Sequence, residues 1–287
     1  MQKKITKIIQ TFSEIISENM LYADKTKYIY NLINNCKVCF LCRPRRFGKS
    51  LLLSTIKALF LGQRDLFKEL WIDSSDYAFE THPVIHLSMN YTGISNSSLL
   101  NKRIILNLQA IGTSEGISIS DLFLDVALEE LVNGLFDKYN KKNMSTPREC
   151  SDNLGAARKV VVLIDEYDAP IIDNLDQPAI AKANLETLHD FYRCFKNLDE
   201  KIRFVLVTGI SQAARVALGQ SSNNIVDISL KPEYAGVCGF TLQDLDALFA
   251  DRYEETLNDL IATGQMKPGD TIADLKENIL KWYDGYV

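Results

Sequence analysis

The sequence lacks the long apolar runs that would place the chain in a membrane. Its longest apolar stretches, such as Val160–Ile164, fall far short of the roughly 20 residues that a spanning helix needs. The basic start Met1–Ile5 is not followed by the apolar core of a signal peptide, because Lys7, Gln10 and Glu14 interrupt it. These absences predict a cytoplasmic protein with no membrane partner.

An excess of positive charge is also missing. The 287 residues contain 37 acids and 32 bases, a net charge of −5, so no global positive field draws the chain to nucleic acid. With 46% hydrophobic and 24% charged residues, the composition excludes a disordered chain, a collagen-like repeat and a coiled coil. Bases do outnumber acids in residues 1–50. This local excess leaves a DNA partner open. A protein partner and a homo-oligomer are also left open by the sequence.

A metal centre built from cysteine and histidine is not indicated. The spacing Cys36-x-x-Cys39-x-x-Cys42 resembles part of an iron–sulfur motif, but the fourth ligand, a Cys-Pro a few residues on, is missing. On a strand, Cys39 would face away from the other two cysteines. The three histidines also lack ligand spacing with the cysteines. We therefore expect the six cysteines to be free thiols.

The distribution of apolar residues predicts an α/β fold. Continuous apolar runs, typical of strands buried on both faces, occur at 38–42, 84–87, 160–164 and 204–207. Helical periodicity separates them, at about 5–16, from 98 to 140 with a break near 112–116, and at 182–197. This alternation predicts a mostly parallel sheet covered by helices on both faces.

Two units are predicted along the chain. Residues 1–235 form a core with N-terminal helices and a helical insertion, and polar, turn-rich residues 140–158 are the best candidate for a flexible insertion. Residues 236–287 form a helical C-terminal extension. Thr241 with Asp244 resembles a capping box, which places a helix start at that point.

A phosphate-binding loop is the central signal. The strand at 38–42 leads into a basic loop with Gly-Lys-Ser and then into a helix, and the N–H groups at such a helix N-terminus bind phosphates. Lys49 would reach the β- and γ-phosphates, the Ser50 hydroxyl would hold Mg²⁺, and Gly48 would let the backbone approach the phosphate. The predicted nucleotide-binding residues are Arg43, Pro44, Arg45, Arg46, Phe47, Gly48, Lys49, Ser50 and Leu51.

One position departs from the general phosphate-loop pattern. Arg43 stands where the first glycine belongs, and Pro44 keeps it extended and has no N–H to donate. Arg45 and Arg46 could compensate through side-chain charge on phosphate oxygens. The alternative is a basic surface turn in which Gly-Lys-Ser occurs by chance.

Two later strand ends carry polar residues suited to the same site. Asp165, which follows the strand at 160–164, is predicted to support Mg²⁺, and Glu166 to be the general base that polarises the attacking water. Thr208 would lie between the other two strand ends and sense the γ-phosphate, or cap a helix. Arg215 is either a transition-state arginine or a surface ion-pair partner. The alternative for the two acids is a buried strand ending in solvated carboxylates.

Several segments together resemble the AAA-ATPase-like family of prokaryotic proteins. They are Tyr22–Thr26, Arg43–Ser50, Val162–Pro170, Val207–Ile210, Asn223-Asn224, Cys238–Thr241 and Trp282–Tyr286. An arginine in place of the first glycine is that family's own habit. The resemblance implies an ATP-binding P-loop NTPase domain in which Lys49 and Ser50 bind phosphate and Mg²⁺, Asp165 supports the metal and Glu166 activates water.

The resemblance also has two departures. Residues 212–222 differ from the family pattern, which leaves the role of that loop and of Arg215 open. Relatives commonly continue into a nuclease-like domain of the PD-(D/E)XK type, and we expect this chain, which stops at Val287, to lack it.

The leading hypothesis is a Mg²⁺-dependent ATPase that acts as a motor or switch. The alternative is an ATP-binding regulatory or interaction module with little or no hydrolysis, which the altered segment 212–222 motivates. A small-molecule kinase is a weaker alternative, because no acceptor site is evident. The absence of an Asn-Lys-x-Asp guanine signature argues against a GTPase.

Overall fold

The fold is built on a five-stranded, fully parallel sheet. The computed structural model describes residues 3–4, 9–120, 123–141, 157–212 and 225–282. Its strands are β1 (Val38–Cys42), β2 (Val84–Ser88), β3 (Val160–Asp165), β4 (Ile202–Gly209) and β5 (Val226–Asp227), in the spatial order β2-β3-β4-β1-β5. Every neighbouring pair is parallel, so the carboxyl ends of the strands share one edge of the sheet.

Helices connect and follow the strands. They are α1 (Phe12–Ser17), α2 (Thr26–Asn35), α3 (Lys49–Phe60), α4 (Ser97–Ser114), α5 (Leu124–Lys141), α6 (Ala169–Ile172), α7 (Pro178–Asn197), α8 (Leu242–Phe249), α9 (Tyr253–Ala262) and α10 (Ile272–Trp282). Short 3₁₀ turns lie at Arg64–Phe67, Trp71–Ser74, Asp199–Lys201, Pro232–Tyr234 and Ala250–Arg252. Among the described residues, no helix is long and apolar enough to cross a membrane.

Each face of the sheet has its own hydrophobic core. All six residues of β3 are buried, and successive side chains point to opposite faces. Val160, Val162 and Ile164 pack with residues of α4, α5 and α7, whereas Val161 and Leu163 pack with residues of α1, α2 and α3. The predicted parallel α/β fold is confirmed, and the double burial explains why its strands are apolar without alternation.

Most predicted elements are confirmed, with two exceptions. The predicted break near 112–116 overlaps the end of α4 at Ser114, and the capping box starts α8. The first amphipathic pattern extends less far than predicted, because α1 begins only at Phe12 and Lys4 forms a parallel bridge with Met20. Strand β5 was not predicted, because it has only two residues and so short a strand shows no periodic pattern in the sequence. The predicted insertion at 140–158 lies largely outside the described residues, at 142–156.

The expectation of six free thiols is wrong for one pair. Cys36 and Cys39 form a disulfide, with Cα atoms 6.2 Å apart. The argument from strand alternation does not apply to Cys36, because this residue caps α2 and precedes β1. Cys42, Cys194 and Cys238 are free. No cluster of three or more histidine, cysteine or acidic residues that could hold a metal occurs in the part of the chain described.

An ion pair ties the start of the chain to its C-terminal helices. The Lys25 ammonium donates to Asp244 Oδ2 at 2.5 Å, with side-chain exposures of only 8% and 16%. The same carboxylate accepts hydrogen bonds from the backbone N–H and hydroxyl of Thr241, which completes the capping box of α8. Burial acts to raise the pKa of Asp244, but the bonds from Lys25 and Thr241 outweigh it and hold the pKa below its ordinary value.

We predict that Asp244→Asn lowers the free energy of unfolding by about 1.5–3 kcal/mol at pH 7, the range for hydrogen bonds to charged groups. A carboxyl with a lowered folded-state pKa contributes stability above its unfolded pKa of about 4 and loses it as pH falls through the folded value. The difference between variant and wild type in urea unfolding should therefore shrink below about pH 4. Asp246→Asn is the control, because the contacts of Asp246 with Lys276 and Tyr253 are more exposed and should contribute less to stability. Equal losses for the two variants would contradict the special role of Asp244.

Candidate functional site

The sheet order brings three predicted strand ends together. Strand β4 lies between β1 and β3, and Leu41 pairs with Thr208 while Ile164 pairs with Val207. Thr208 therefore lies between the loop that follows β1 and Asp165 at the end of β3. We predicted from the three apolar runs that Thr208 would lie between the other two strand ends. The order of the parallel strands places it there.

The loop after β1 curls around the Lys49 ammonium. Lys49 Nζ donates to the carbonyls of Arg43 at 3.0 Å and Pro44 at 2.9 Å, and its side chain is buried. An ammonium has three N–H donors, so these carbonyls leave one for a ligand. Arg46 and Gly48 both have left-handed backbone conformations, with φ of 68° and 85°.

The left-handed backbone of Gly48 favours glycine at this position. A Cβ added there would meet no atom of the described chain within 4 Å, and Gly48 is the N-cap of α3. No side chain caps this helix within the described residues. The first N–H groups of an α-helix have no acceptor within the helix, so those of Lys49, Ser50 and Leu51 are available as donors to an anion.

The Asp165 carboxylate joins the three strand ends. Ser50 Oγ donates to Asp165 Oδ2 at 2.5 Å, and Thr208 Oγ1 donates to Asp165 Oδ1 at 2.6 Å. The N–H of Glu166 also donates to Oδ1, at 3.0 Å. Asp165 is buried, with 6% exposure, so these hydrogen bonds satisfy a charge that would otherwise be costly to bury. The predicted metal residues Ser50 and Asp165 are thus in direct contact.

This group of oxygens suits Mg²⁺. Hydroxyl and carboxylate oxygens are the ligands that Mg²⁺ prefers, and this ion commonly takes only one or two protein ligands beside water and phosphate oxygens. Ser50 and Asp165 supply that number at the N-terminus of α3, beside the Lys49 ammonium. The residues present therefore fit the predicted metal.

Glu166 has an unusual backbone conformation. Its φ is 51°, a left-handed value that is uncommon outside glycine, asparagine and aspartate, and such strain clusters at functional sites. Its backbone is held on both sides, since its N–H donates to Asp165 and its carbonyl accepts from Ala169. Its half-buried side chain makes no hydrogen bond or ion pair with the described residues and remains available to a water molecule.

Arg43 does not lie where phosphate contact was predicted. Its guanidinium donates to the carbonyls of Cys42, Ser229 and Tyr234, and so ties the loop to the segment after β5. The guanidinium of Arg43 therefore donates to backbone carbonyls and not to the phosphate oxygens that we predicted as its acceptors. An arginine thus replaces the usual glycine because its side chain anchors the loop.

The other predicted loop residues divide by exposure. Pro44, Arg45 and Arg46 lie at the surface, where the two guanidinium groups remain accessible to phosphate. Phe47 and Leu51 are half buried and pack against the core that contains α3. The Phe47 carbonyl also accepts a hydrogen bond from the N–H of Gly239, a second link to the C-terminal segment.

Sequence reasoning missed the role of the two residues after Glu166. Tyr167 is fully buried, and its hydroxyl donates to the carbonyl of Ser211 at 2.8 Å. Asp168, with 2% exposure, accepts hydrogen bonds from the N–H groups of Ile210 and Ser211. Both residues belong to the motif that carries the family resemblance, but no spacing rule predicts that they bind the turn after β4.

Some predicted residues lie outside the described part of the chain. These are Arg215, Asn223-Asn224 and residues 283–286, so the geometry bears on none of them.

A family profile described as predicted AAA-ATPase matches residues 7–219, which contain β1 to β4 and all residues of the candidate site. The chain belongs to the AAA-ATPase-like family. Among curated proteins, it is 33% identical over 289 aligned residues to an uncharacterized protein in the vnfD 5′ region of Azotobacter chroococcum mcd 1. That match covers 99% of this chain and 49% of the relative, so the chain spans about half the relative's length. No solved structure matches the chain significantly.

The anchoring role of Arg43 gives a test within this AAA-ATPase-like loop. We predict that Arg43→Lys lowers the free energy of unfolding by about 1–3 kcal/mol, because one ammonium cannot reproduce the forked contact with three carbonyls. Arg45→Lys is the matched control, since Arg45 is exposed, and should change stability by less than about 0.5 kcal/mol. Thermal unfolding of both variants decides the question. An unchanged Arg43→Lys protein would refute the anchor.

Proposed function

We propose that this AAA-ATPase-like chain binds ATP with Mg²⁺ at the loop 43–51 and hydrolyses it. The observation that carries the proposal is the convergence of Ser50 and Thr208 on the Asp165 carboxylate, directly beside Lys49 and the open N-terminus of α3. Three chain segments far apart in sequence meet in an arrangement that suits a metal-bound polyphosphate. A basic surface turn would not require this convergence.

Binding is attributed to the loop and the first turn of α3. Backbone N–H groups at the helix N-terminus and the Lys49 ammonium would contact phosphate oxygens, with Arg45 and Arg46 adding charge at the surface. Ser50 and Asp165 would hold Mg²⁺, which when bound neutralises phosphate charge. Thr208 is fully buried, so we assign it to orienting Asp165 instead of contacting the γ-phosphate directly.

Hydrolysis is attributed to Glu166. Its carboxylate would accept a proton from a water molecule as the water oxygen forms a bond to the γ-phosphorus. The bond between that phosphorus and the bridging oxygen breaks, which gives ADP and inorganic phosphate. The left-handed backbone of Glu166 and its bond to Asp165 fix the start of this side chain relative to the metal residues.

The chain is proposed to act as a switch or motor with two units, 1–235 and 236–287. Three hydrogen bonds connect the phosphate loop to residues before α8. Arg43 donates to the carbonyls of Ser229 and Tyr234, which lie within 1–235, and the N–H of Gly239, which lies within 236–287, donates to the Phe47 carbonyl. A shift of the loop on nucleotide binding would therefore be passed to the C-terminal helices. DNA, a protein or a second copy remain the proposed classes of partner.

We predict that Glu166→Gln abolishes steady-state ATP turnover, with at least a roughly 100-fold loss, and retains ATP affinity within about threefold. Glutamine keeps the size of the side chain but cannot accept the proton. Phosphate release and equilibrium binding of a fluorescent ATP analogue measure the two quantities. Glu200→Gln, an exposed change in a 3₁₀ turn, is the matched control and should leave both unchanged.

The same pair of measurements tests the alternatives. Equal turnover by Glu166→Gln and wild type would remove Glu166 as the base. Tight ATP binding by a wild-type protein without turnover would instead favour the ATP-binding interaction module. Loss of binding in Lys49→Ala, with no loss in Arg193→Ala on the surface of α7, is expected under either activity.

We further predict that Ser50→Ala removes most of the gain in ATP affinity that Mg²⁺ provides, a loss of about tenfold or more, while affinity in EDTA stays within about twofold. The serine hydroxyl is the proposed metal ligand, and the backbone donors of the loop are unchanged. Ser98→Ala, on the exposed surface of α4, is the control. An unchanged Mg²⁺ response in Ser50→Ala would exclude Ser50 as a ligand.

A further inference from the structure

We infer that Asp168 is a positioning residue that holds the end of β4 so that Thr208 and Asp165 keep the geometry needed for Mg²⁺. This inference rests on the proposed function and assigns a task to a buried carboxylate that phosphate or metal contact does not explain. Asp168 lies three residues beyond Asp165, outside β3.

The carboxylate of Asp168 fastens the turn after β4. Its Oδ2 accepts hydrogen bonds from the N–H of Ile210 at 2.9 Å and from the N–H of Ser211 at 2.5 Å. Burial raises the pKa of Asp168, whereas these two backbone hydrogen bonds act to lower it. A buried carboxylate that accepts hydrogen bonds from two adjacent backbone N–H groups fixes the direction of the chain at this turn.

Tyr167 also holds this turn through hydrogen bonds. Its N–H donates to the carbonyl of Thr208 at 3.1 Å, and its hydroxyl donates to the carbonyl of Ser211. Its ring packs edge-on against Phe40 in β1, with centroids 5.2 Å apart. The residues that follow Asp165 and Glu166 thus hold the residues that follow Thr208.

Close packing at Gly209 shows how little space this arrangement leaves. A Cβ at Gly209 would lie 2.3 Å from Tyr167 Cε1 and 2.8 Å from Asp168 Oδ1. Only a glycine allows β4 to end against these two side chains. Because Thr208 precedes Gly209 directly, a displacement of the turn would move the hydroxyl that donates to Asp165.

Asp168 is poorly placed to be a metal ligand itself. Its side chain is buried, with Oδ2 occupied by two N–H donors and Oδ1 against Gly209. Its effect on Mg²⁺ must therefore pass through Thr208 and Asp165, which makes it a positioning residue and not a catalytic one.

The test compares Asp168→Ala with Asp168→Asn in the full chain. Alanine removes both acceptors, whereas the asparagine oxygen can still accept from the two amides. We expect Asp168→Ala to lower kcat about tenfold or more and to raise the Mg²⁺ concentration at half-maximal rate, because small misplacements of reacting groups are costly. ATP affinity in EDTA should stay within about twofold, and Asp168→Asn should recover kcat to within about threefold of wild type.

A stability control separates positioning from general loss of structure. Leu275→Ala creates a cavity in the separate core around α9 and α10, which contains no residue of the site, and should lower the melting temperature while leaving kcat and the Mg²⁺ response unchanged. Equal Mg²⁺ responses of Asp168→Ala and wild type would overturn the inference, as would a failure of asparagine to restore more activity than alanine.

Failure of the inference can be told apart from failure of the proposed function. If wild type binds ATP without turnover, the Mg²⁺-dependent gain in affinity replaces kcat as the readout, and Asp168→Ala should lose most of it. If wild type binds no ATP, amide exchange at residues 208–211 still reports on the turn. Exchange should then be faster in Asp168→Ala and close to wild type in Asp168→Asn, and unchanged exchange in both would overturn the inference.

Discussion

The buried carboxylate of Asp165 accepts hydrogen bonds from Ser50 on α3, Thr208 at the end of β4 and the N–H of Glu166. A carboxylate at this depth is costly unless donors surround it, so the three elements must meet for the fold to tolerate it. The order of the strands makes the meeting possible, since β4 separates β1 from β3 and the parallel strands end at one edge. The arrangement that stabilises the buried charge also gathers the oxygens that suit Mg²⁺.

Around this carboxylate, contacts within the chain fix the position of the loop 43–51, the proposed phosphate-binding loop. Arg43 anchors the loop to the segment after β5, the Phe47 carbonyl bonds to Gly239, and Asp244 joins α8 to Lys25. Residues of the motifs Tyr22–Thr26 and Cys238–Thr241 thus contribute two of these links, through Lys25 and Gly239. This arrangement gives a physical reason why an ATP-dependent change at the loop would alter the position of those helices.

Much of the fold could be predicted from the sequence, because strands buried on both faces leave continuous apolar runs and the proposed phosphate-binding loop follows a pattern of fixed spacing. These two signals were sufficient to predict which side chains meet at the candidate site, namely those of Lys49, Ser50, Asp165 and Thr208. The function of Arg43 was not predictable, because its partners are backbone carbonyls far along the chain that leave no trace in residue types. The same holds for Asp168 and its two amide donors. The disulfide between Cys36 and Cys39 was not predicted, because Cys36 caps a helix and the argument from strand alternation does not apply to it.

The most direct test of the central claim is an experimental structure of the Glu166→Gln protein with ATP and Mg²⁺. We predict that Mg²⁺ lies between Ser50 Oγ and Asp165, whose direct hydrogen bond must then break, and that Thr208 keeps its bond to Asp165. We also expect Lys49 to contact the phosphates and Arg43 to stay on the carbonyls of Ser229 and Tyr234. A nucleotide bound elsewhere, with the Ser50–Asp165 hydrogen bond intact, would contradict the proposed site.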